Sequence, residues 1–289
     1  MINILSRTFT AGLPAITAIL LTAGLSACTG NRPDYRLISS YQDYTVPEYK
    51  AGTHDSSRVL VIVPHADDET IAGGLIAMLK DHGAVIHLLT LCDPGKERAM
   101  ELECSADALG IEKVETAGFV NNSWDEIMID RITFWYDNQD SIRSVIAGKI
   151  NSFRPEILIT YDSEIGGYGH PEHRISATLV EQLLTENSGD STFSPQIIFQ
   201  ITLSDSLEKF LVARSPGYDL QKRLTGSEGL PSPDVAVDIR DYWPAKNSAA
   251  RCHRSQMDIL KRFYIMYNEK EAEEHKEAFS REYYRVVSR

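Results

Sequence analysis

Residues 59–70 read Val-Leu-Val-Ile-Val-Pro-His-Ala-Asp-Asp-Glu-Thr, and this stretch decides the fold. Its first five residues form a continuous apolar, β-branched run, which predicts a buried strand of a parallel sheet. A histidine and three carboxylates follow at once, and a hydrophobic core does not select them because each buried carboxylate needs a partner. Helical spacing of apolar residues then predicts a helix over 69–81. Strand, charged loop and helix together indicate a ligand site at the carboxyl end of the strand.

The same alternation of strand and helix continues along the chain. Further strands are predicted at 84–91, 114–119, 156–161, 196–203 and 235–239, and helices at 96–109, 140–153 and 170–186. From about Lys246 onward the highly charged chain is predicted to be mostly helical. Such alternation predicts an α/β fold, a Rossmann-like three-layer sandwich with a mainly parallel sheet.

The N-terminus has the pattern of a targeting segment. Arg7 is the single charge before an apolar region, which ends in Leu-Ser-Ala-Cys at residues 25–28. This ending resembles the bacterial lipobox, so residues 1–27 are predicted to be a lipoprotein signal peptide and Cys28 the lipidated residue. An ordinary signal peptide with a chance cysteine, or an uncleaved anchor helix, are the alternatives.

The lipobox prediction sets the domain boundaries and the location. Residues 28–57 are predicted to be a tether, with one packed segment around 44–49, and residues 58–289 a single enzyme domain. The protein is expected in a bacterial cell envelope, attached to the membrane through its N-terminal lipid, in the periplasm or at the outer membrane.

The net charge excludes some classes of binding partner, and the cysteine content limits the possible disulfides. The net charge of −12 argues against nucleic acid or anionic lipid as an electrostatic partner. After Cys28 three cysteines remain, none of them in a Cys-x-x-Cys pair: Cys92, Cys104 and Cys252. One disulfide is possible in an oxidising envelope, but buried apolar packing is the favoured prediction for each.

A second charged loop follows the strand predicted at 156–161. Residues 162–174 contain three glycines within four positions and then His-Pro-Glu-His at 170–173, which opens a helix with proline at an early position. Because this loop also follows a strand, it is expected at the same sheet edge as the first. The spacing of three between His170 and His173 places both on one helix face.

Two histidine-containing clusters at one sheet edge predict a divalent metal site. Imidazole and carboxylate ligands suit Zn²⁺, and three protein ligands are typical of catalytic zinc. The predicted ligands are His65, Asp68 and His173, whereas Asp67 stays free as the base that takes a proton from the attacking water.

These motifs carry a family resemblance. Pro-His-Ala-Asp-Asp-Glu at 64–69 and Gly-His-Pro-Glu-His at 169–173 resemble the LmbE-like, or PIG-L, family of zinc-dependent N-acetylglucosaminyl deacetylases. The resemblance covers roughly 58–256. It implies that Asp67 is the general base and that His170 stabilises the oxyanion or protonates the leaving amine. It also implies that Tyr168 assists at the oxyanion and that Arg98 binds substrate.

The chain departs from the family pattern at three places. Ala66 stands where the family usually has proline, which removes no ligand, and Glu172 stands where it usually has aspartate. If residue 172 orients a histidine, the loop must absorb one extra methylene. Residues 121–123 lack the acidic substrate contact that family members often carry, which affects sugar recognition more than hydrolysis.

The sequence therefore predicts metal-dependent removal of an N-acetyl group from an amino sugar or glycoconjugate at the cell envelope. Two alternatives stay open. One is a metal- or glycan-binding lipoprotein without turnover, against which the unligated Asp67 argues. The other is a deacylase acting on an antibiotic-like small amide.

Overall fold

The computed structural model describes residues 35–50, 57–213, 215–258, 260 and 276–289. These residues belong to one compact unit that spans 34–289. The predicted signal peptide with Cys28 lies outside the described residues, and so do residues 261–275 of the predicted helical C-terminus. Within the described ranges, no helix is both long enough and apolar enough to cross a membrane.

The described strands form one seven-stranded sheet in the order β3-β2-β1-β4-β5-β7-β6. The strands are β1 (Arg58–Val63), β2 (Val85–Cys92), β3 (Lys113–Phe119), β4 (Ile157–Tyr161), β5 (Ile197–Thr202), β6 (Val235–Asp238) and β7 (Arg281–Ser288). The first five strands in spatial order pair in parallel. The predicted α/β fold with a mainly parallel sheet is confirmed.

Strand β7 contradicts the prediction of a helical C-terminus. It pairs antiparallel with both β5 and β6, between which it is inserted. Its sequence, Arg-Glu-Tyr-Tyr-Arg-Val-Val-Ser, is rich in aromatic and β-branched residues, which favour a pleated, half-buried surface. The prediction of helix for 281–288 was therefore wrong.

Helices cover both faces of the sheet. In the described residues they are α1 (Tyr35–Ser39), α2 (Gly73–Asp81), α3 (Gly95–Leu109), α4 (Trp124–Met128), α5 (Thr133–Asp137), α6 (Gln139–Phe153), α7 (Pro171–Glu186), α8 (Asp205–Leu211), α9 (Pro216–Thr225) and α10 (Trp243–Cys252). Alternate residues of β1 enter two different cores, Val61 in one and Leu60 and Ile62 in the other. Burial on both faces is why β1 reads as a continuous apolar run.

A segment upstream of β1 packs on this body, and a disulfide joins two of its helices. Residues 35–50, which lie in the predicted tether, pack on it: Val46 is buried and Glu48 forms a bridge to Ala236. The compact body therefore begins upstream of Arg58. A disulfide joins Cys104 of α3 to Cys252 of α10. The favoured prediction of apolar packing was wrong for these two residues, because the contact between α3 and α10 brings them together.

Candidate active site

The two charged loops meet at one edge of the sheet because their strands are neighbours. β1 and β4 pair in parallel, with Val59 opposite Ile157 and Val61 opposite Ile159. The carboxyl ends of these strands therefore point the same way, and the loops that follow them lie side by side. The predicted meeting of the two histidine clusters is confirmed.

The first loop turns the carboxylate of Asp68 inward. After Val63 the chain makes a short turn and enters a 3₁₀ helix over Asp68–Thr70. Oδ2 of Asp68 accepts a hydrogen bond from the backbone N–H of His65 at 2.7 Å. Oδ1 accepts one from the hydroxyl of Tyr161, the last residue of β4, at 2.9 Å. These two donors fix a buried carboxylate at the centre of the site.

The second loop is shaped by Asp162 and by glycine. The buried carboxylate of Asp162 accepts backbone N–H groups of Ile165 at 2.7 Å and Gly167 at 2.6 Å. Gly166 has φ +73°, and a Cβ there would lie 2.5 Å from the backbone nitrogen of Arg174. Only glycine fits that position, which carries the chain back over the start of α7.

The histidine tautomers follow from hydrogen bonds outside the cluster. Nδ1 of His173 lies 3.2 Å from the carbonyl oxygen of Gly166 and must donate to it, so Nε2 presents a lone pair. Nε2 of His65 lies 2.7 Å from Oε2 of Glu172 and donates to that carboxylate, which leaves Nδ1 with a lone pair. A histidine bonded in this way to a carboxylate or carbonyl is the usual arrangement behind a metal ligand.

These lone pairs face one another and the carboxylate of Asp68. His65 Nδ1 and His173 Nε2 are 3.1 Å apart. Oδ2 of Asp68 lies 3.2 Å from the first nitrogen and Oδ1 lies 3.3 Å from the second. Ligands of a tetrahedral zinc with bonds of about 2.0–2.1 Å are roughly 3.3 Å apart. Three converging acceptors of this kind fit a divalent cation.

The described residues offer two other donor groups that share His65. One combines it with His170 and His173, and the other with Cys92 and Glu172. The ring of His170 stacks on that of His173 at 4.5 Å, and its Nδ1 is buried without a hydrogen-bond partner among the described residues. Asp68, the third ligand predicted from the sequence, belongs to neither group, but its two oxygens contact both converging nitrogens.

Asp67 faces a different environment from its neighbour Asp68. Its backbone has φ 137°, a region that aspartate rarely adopts. Its Oδ1 accepts a hydrogen bond from Nη2 of Arg98 at 3.1 Å. Burial and the nearby charge of Asp68 raise the pKa of Asp67 to about 7, although Arg98 acts in the opposite direction. Such a pKa suits a general base near neutral pH.

The pKa of Asp68 shifts the other way. Burial alone raises it, but in the absence of a metal the charges of protonated His173 and His65, together with their hydrogen bonds, outweigh burial and hold the pKa of Asp68 well below its ordinary value. The pKa values of the two adjacent carboxylates are thus shifted in opposite directions, down for Asp68 and up to about 7 for Asp67.

The remaining predicted catalytic residues lie on the second loop. Burial, followed by the charge of Asp68, raises the pKa of Tyr168, so the phenol keeps its proton and can donate it in a hydrogen bond. Burial lowers the pKa of His170, and the positive charges of His173 and His65 lower it further. The pKa lies well below its usual value, so the imidazole of His170 is neutral. Trp124 of α4, which is 41% exposed, lies beside the rings of Tyr168 and His170 at the edge of the candidate site.

Arg98, in α3, contacts the loop that carries the candidate base. In addition to Asp67, its Nη2 contacts the carbonyl oxygen of Ala66 at 2.5 Å. The predicted substrate residue thus holds the loop that carries Asp67. Glu172 orients a histidine as the family pattern suggested, but that histidine is His65, across the site.

Several residues of the site were missed from the sequence. Tyr161 could have been found, because it is the last residue of a predicted strand at the correct edge. Glu69 and His253, which form a buried pair at 2.6 Å, are separated by 184 positions and leave no local pattern.

Comparisons with known proteins show similarity to deacetylases. The model of the PIG-L family, described as GlcNAc-PI de-N-acetylase, matches residues 60–184. A 1D-myo-inositol 2-acetamido-2-deoxy-alpha-D-glucopyranoside deacetylase of Frankia casuarinae is 27% identical over 75% of this chain and 85% of its own. The enzyme of that name from Rhodococcus erythropolis is 28% identical over 72% of this chain and 83% of its own.

Two solved structures show the likeness of fold. The A40926 pseudoaglycone deacetylase Dbv21 has a TM-score of 0.55 at 16% identity, covering 81% of this chain and 98% of its own. A zinc inhibited form of teicoplanin deacetylase Orf2 has a TM-score of 0.53 at 16% identity, covering 81% of this chain and 99% of its own. Both deacetylase motifs, at 64–69 and 169–173, fall inside the region that the family model matches. Over residues 60–184 the chain is similar to the PIG-L family of de-N-acetylases.

Proposed function

We propose that this protein is a metal-dependent hydrolase that releases acetate from the N-acetyl group of an amino sugar or glycoconjugate. The observation that carries the proposal is Asp67. It lies next to a cluster of three converging acceptors, yet its own carboxylate is turned to Arg98. A protein that only binds a metal or a glycan has no use at that place for a carboxylate that is not a metal ligand and has a pKa of about 7.

His65, Asp68 and His173 are the residues that would hold the metal. A divalent metal held there lowers the pKa of water and polarises the amide carbonyl of the substrate. Its identity is part of the proposal: the nitrogen and carboxylate donors suit zinc, and other divalent ions use the same donors. The teicoplanin deacetylase that resembles this chain in fold is a zinc inhibited form, so the metal has to be assayed.

Asp67 performs the proton transfers in this mechanism. Its carboxylate takes a proton from the water whose oxygen attacks the amide carbon. When the C–N bond breaks, the proton passes to the leaving nitrogen, and the products are acetate and a free amine. A pKa of about 7 serves both steps, because the group is then neither too strong an acid nor too weak a base.

Tyr168 and His170 stabilise the developing negative charge on the carbonyl oxygen. The phenol of Tyr168 keeps its proton, since burial and Asp68 raise its pKa. The neutral imidazole of His170 lies against His65 and His173, with ring centroids 4.7 Å and 4.5 Å away, and can donate through one ring nitrogen. Donors fixed before the reaction cost no reorganisation when the charge forms.

An N-acetylated amino sugar is the favoured substrate class. The relatives from Frankia and Rhodococcus are deacetylases of a 2-acetamido-2-deoxyglucopyranoside linked to inositol, and this chain covers more than four fifths of their length. The glycopeptide deacetylases resemble the chain in fold alone, at 16% identity. An antibiotic-like amide is therefore the second candidate.

We further propose that the protein is a lipoprotein of the cell envelope. The lipobox ending at Cys28 motivates this, and the Cys104–Cys252 disulfide supports it because such bonds persist in oxidising compartments. Changing Cys28 to Ala should block acylation and leave an unprocessed precursor that retains residues 1–27. Normal processing and fractionation of the Cys28→Ala variant would contradict lipid anchoring.

The experiment that tests the function measures amine release from a panel of N-acetylated substrates. The panel contains N-acetylglucosamine, its inositol conjugate, N,N'-diacetylchitobiose and an N-acylated glycopeptide, each with and without a chelator. We expect release from a sugar substrate, loss with the chelator, and recovery when one divalent metal is returned. Absence of release across the panel under every metal would favour the binding-protein alternative, and release only from the glycopeptide would favour the second substrate class.

A further inference from the structure

Glu69 belongs to the loop that carries Asp67, and its carboxylate is fully buried. Oε2 accepts the backbone N–H of Asp67 at 3.0 Å. Oε1 accepts the hydroxyl of Ser105 at 2.5 Å and faces Nε2 of His253 at 2.6 Å. Glu69, Ser105 and His253 are all completely buried. The carboxylate thus joins the backbone of the candidate base to two residues from distant parts of the chain.

The backbone of Asp67 needs such support. A φ of 137° is costly for a residue with a side chain and persists only where the surroundings hold it. The carbonyl oxygen of Asp67 accepts bonds from the backbone N–H of Thr70 at 3.1 Å and from its hydroxyl at 2.6 Å. Glu69 holds the N–H on the other side of the same residue. Hydrogen bonds therefore hold the backbone of Asp67 at both its N–H and its carbonyl oxygen.

The partners of Glu69 are held in turn by a covalent bond. Cys104 directly precedes Ser105, and Cys252 directly precedes His253. The disulfide between these cysteines fixes the distance between the two residues that contact Oε1 of Glu69. Beside it, Glu101 accepts the backbone N–H of Ser255 at 2.7 Å and its hydroxyl at 2.6 Å, which adds a second tie between the same two segments.

We infer that Glu69 is a positioning residue for Asp67, and that Ser105, His253 and the Cys104–Cys252 disulfide hold Glu69 in place for this purpose. The inference rests on the proposed function, in which Asp67 is the base. None of these groups takes a proton in the reaction. They act by keeping the Asp67 carboxylate at the distance from the attacking water at which proton transfer is fast, since a shift of about 1 Å can cost 10²-fold in rate.

The test compares two substitutions of His253. Alanine removes the donor to Glu69, whereas glutamine places an amide N–H near the position of Nε2. We expect His253→Ala to lower kcat by about 10- to 100-fold with KM and metal content within about twofold of the parent. We expect His253→Gln to recover most of that loss. Ser105→Ala, which removes a smaller donor and leaves His253 in place, should lower kcat by less than His253→Ala.

The matched control is His87→Ala. His87 stacks on Phe153 at 3.7 Å, near the start of β2 and away from the carboxyl edge. Its loss should lower thermal stability and leave kcat unchanged. If His87→Ala and His253→Ala lower kcat equally, or if His253→Gln is as slow as His253→Ala, then the His253 effect is one of general stability and the inference is overturned.

A crystal structure of the metal-loaded His253→Ala variant separates this inference from the proposed function. We expect Asp67 to leave the positive-φ conformation while His65, Asp68 and His173 keep their places. An unchanged Asp67 in this variant would overturn the inference, whatever the activity. If Asp67 moves but the parent protein releases no amine across the whole panel, the positioning is upheld and the proposed function fails.

The disulfide is tested with the double variant Cys104→Ala with Cys252→Ala, in which neither disulfide partner is left as an unpaired thiol. We expect a fall in kcat of several-fold, smaller than that of His253→Ala because the hydrogen bonds to Glu69 persist. A double variant with lower stability and the kcat of the parent would remove the disulfide from the positioning network.

Discussion

The two loops at the carboxyl edge of the sheet reach the same place by different backbone routes. The loop over 162–170 uses glycine at each of its positive-φ positions, 166, 167 and 169. The loop over 64–70 places aspartate at its one such position, Asp67. Strain therefore lies at the candidate base, whereas the loop that supplies His173 is built without it. This agrees with the general finding that strained residues cluster where the chemistry occurs.

Within the first loop, Asp67 and Asp68 show the same contrast in their electrostatics. Burial raises both pKa values, but the imidazoles that face Asp68 reverse the effect, whereas Arg98 only moderates it at Asp67. Sequence adjacency therefore says little about role. The groups that each carboxylate faces determine the direction of its pKa shift.

The largest effects should come from removing a metal ligand. Asp68→Ala or His173→Ala takes one of three protein ligands, so we expect metal content to fall sharply and hydrolysis to become undetectable. His170→Ala is the matched variant, since His170 belongs to the competing donor group with His65 and His173. It should keep its metal, as measured by elemental analysis. If His170→Ala loses the metal while Asp68→Ala retains it, the assignment of ligands is wrong.

The oxyanion contact on the second loop should have a smaller effect than the metal ligands. Tyr168→Phe removes one donor without changing the ring, and we expect kcat to fall by about 10²-fold with metal content unchanged. Tyr136→Phe serves as the control, because its hydroxyl contacts Asp130 on the surface and should leave kcat unaffected. Equal kcat values for both variants would place Tyr168 outside the reaction.

A smaller effect, on stability, tests whether the second loop requires glycine at position 166. Gly166 and Gly226 have φ of +73° and +71°, but only at Gly166 would a Cβ meet other backbone atoms. Alanine at either position should cost about 1–3 kcal/mol through the conformation alone. The clash should make Gly166→Ala the more destabilising change in urea unfolding. Equal losses would show that the second loop can relax around a side chain.

How much could be predicted from the sequence depended on how local each signal was. The parallel sheet and the meeting of the two loops were predictable, because each buried strand is a short apolar run and each site motif directly follows one. Strand β7 was not, since its conformation depends on pairing with β5 and β6. The support of Asp67 by Glu69 and His253 was also beyond reach, because it joins residues 184 positions apart.

Asp67→Asn tests the central claim most directly, with metal content and rate of amine release measured on the same preparation. Asparagine keeps the size of the side chain but cannot accept a proton, so we expect near-parental metal content and a rate lower by about 10²- to 10⁴-fold. In the parent the rate should rise with pH as Asp67 loses its proton. The pH of this rise should lie at or below about 7, because the pKa of Asp67 is about 7 and a bound cation lowers it further. This rise should be absent from the Asp67→Asn variant. Loss of the metal along with the rate would make Asp67 a ligand, and an unchanged rate would contradict its role as the base.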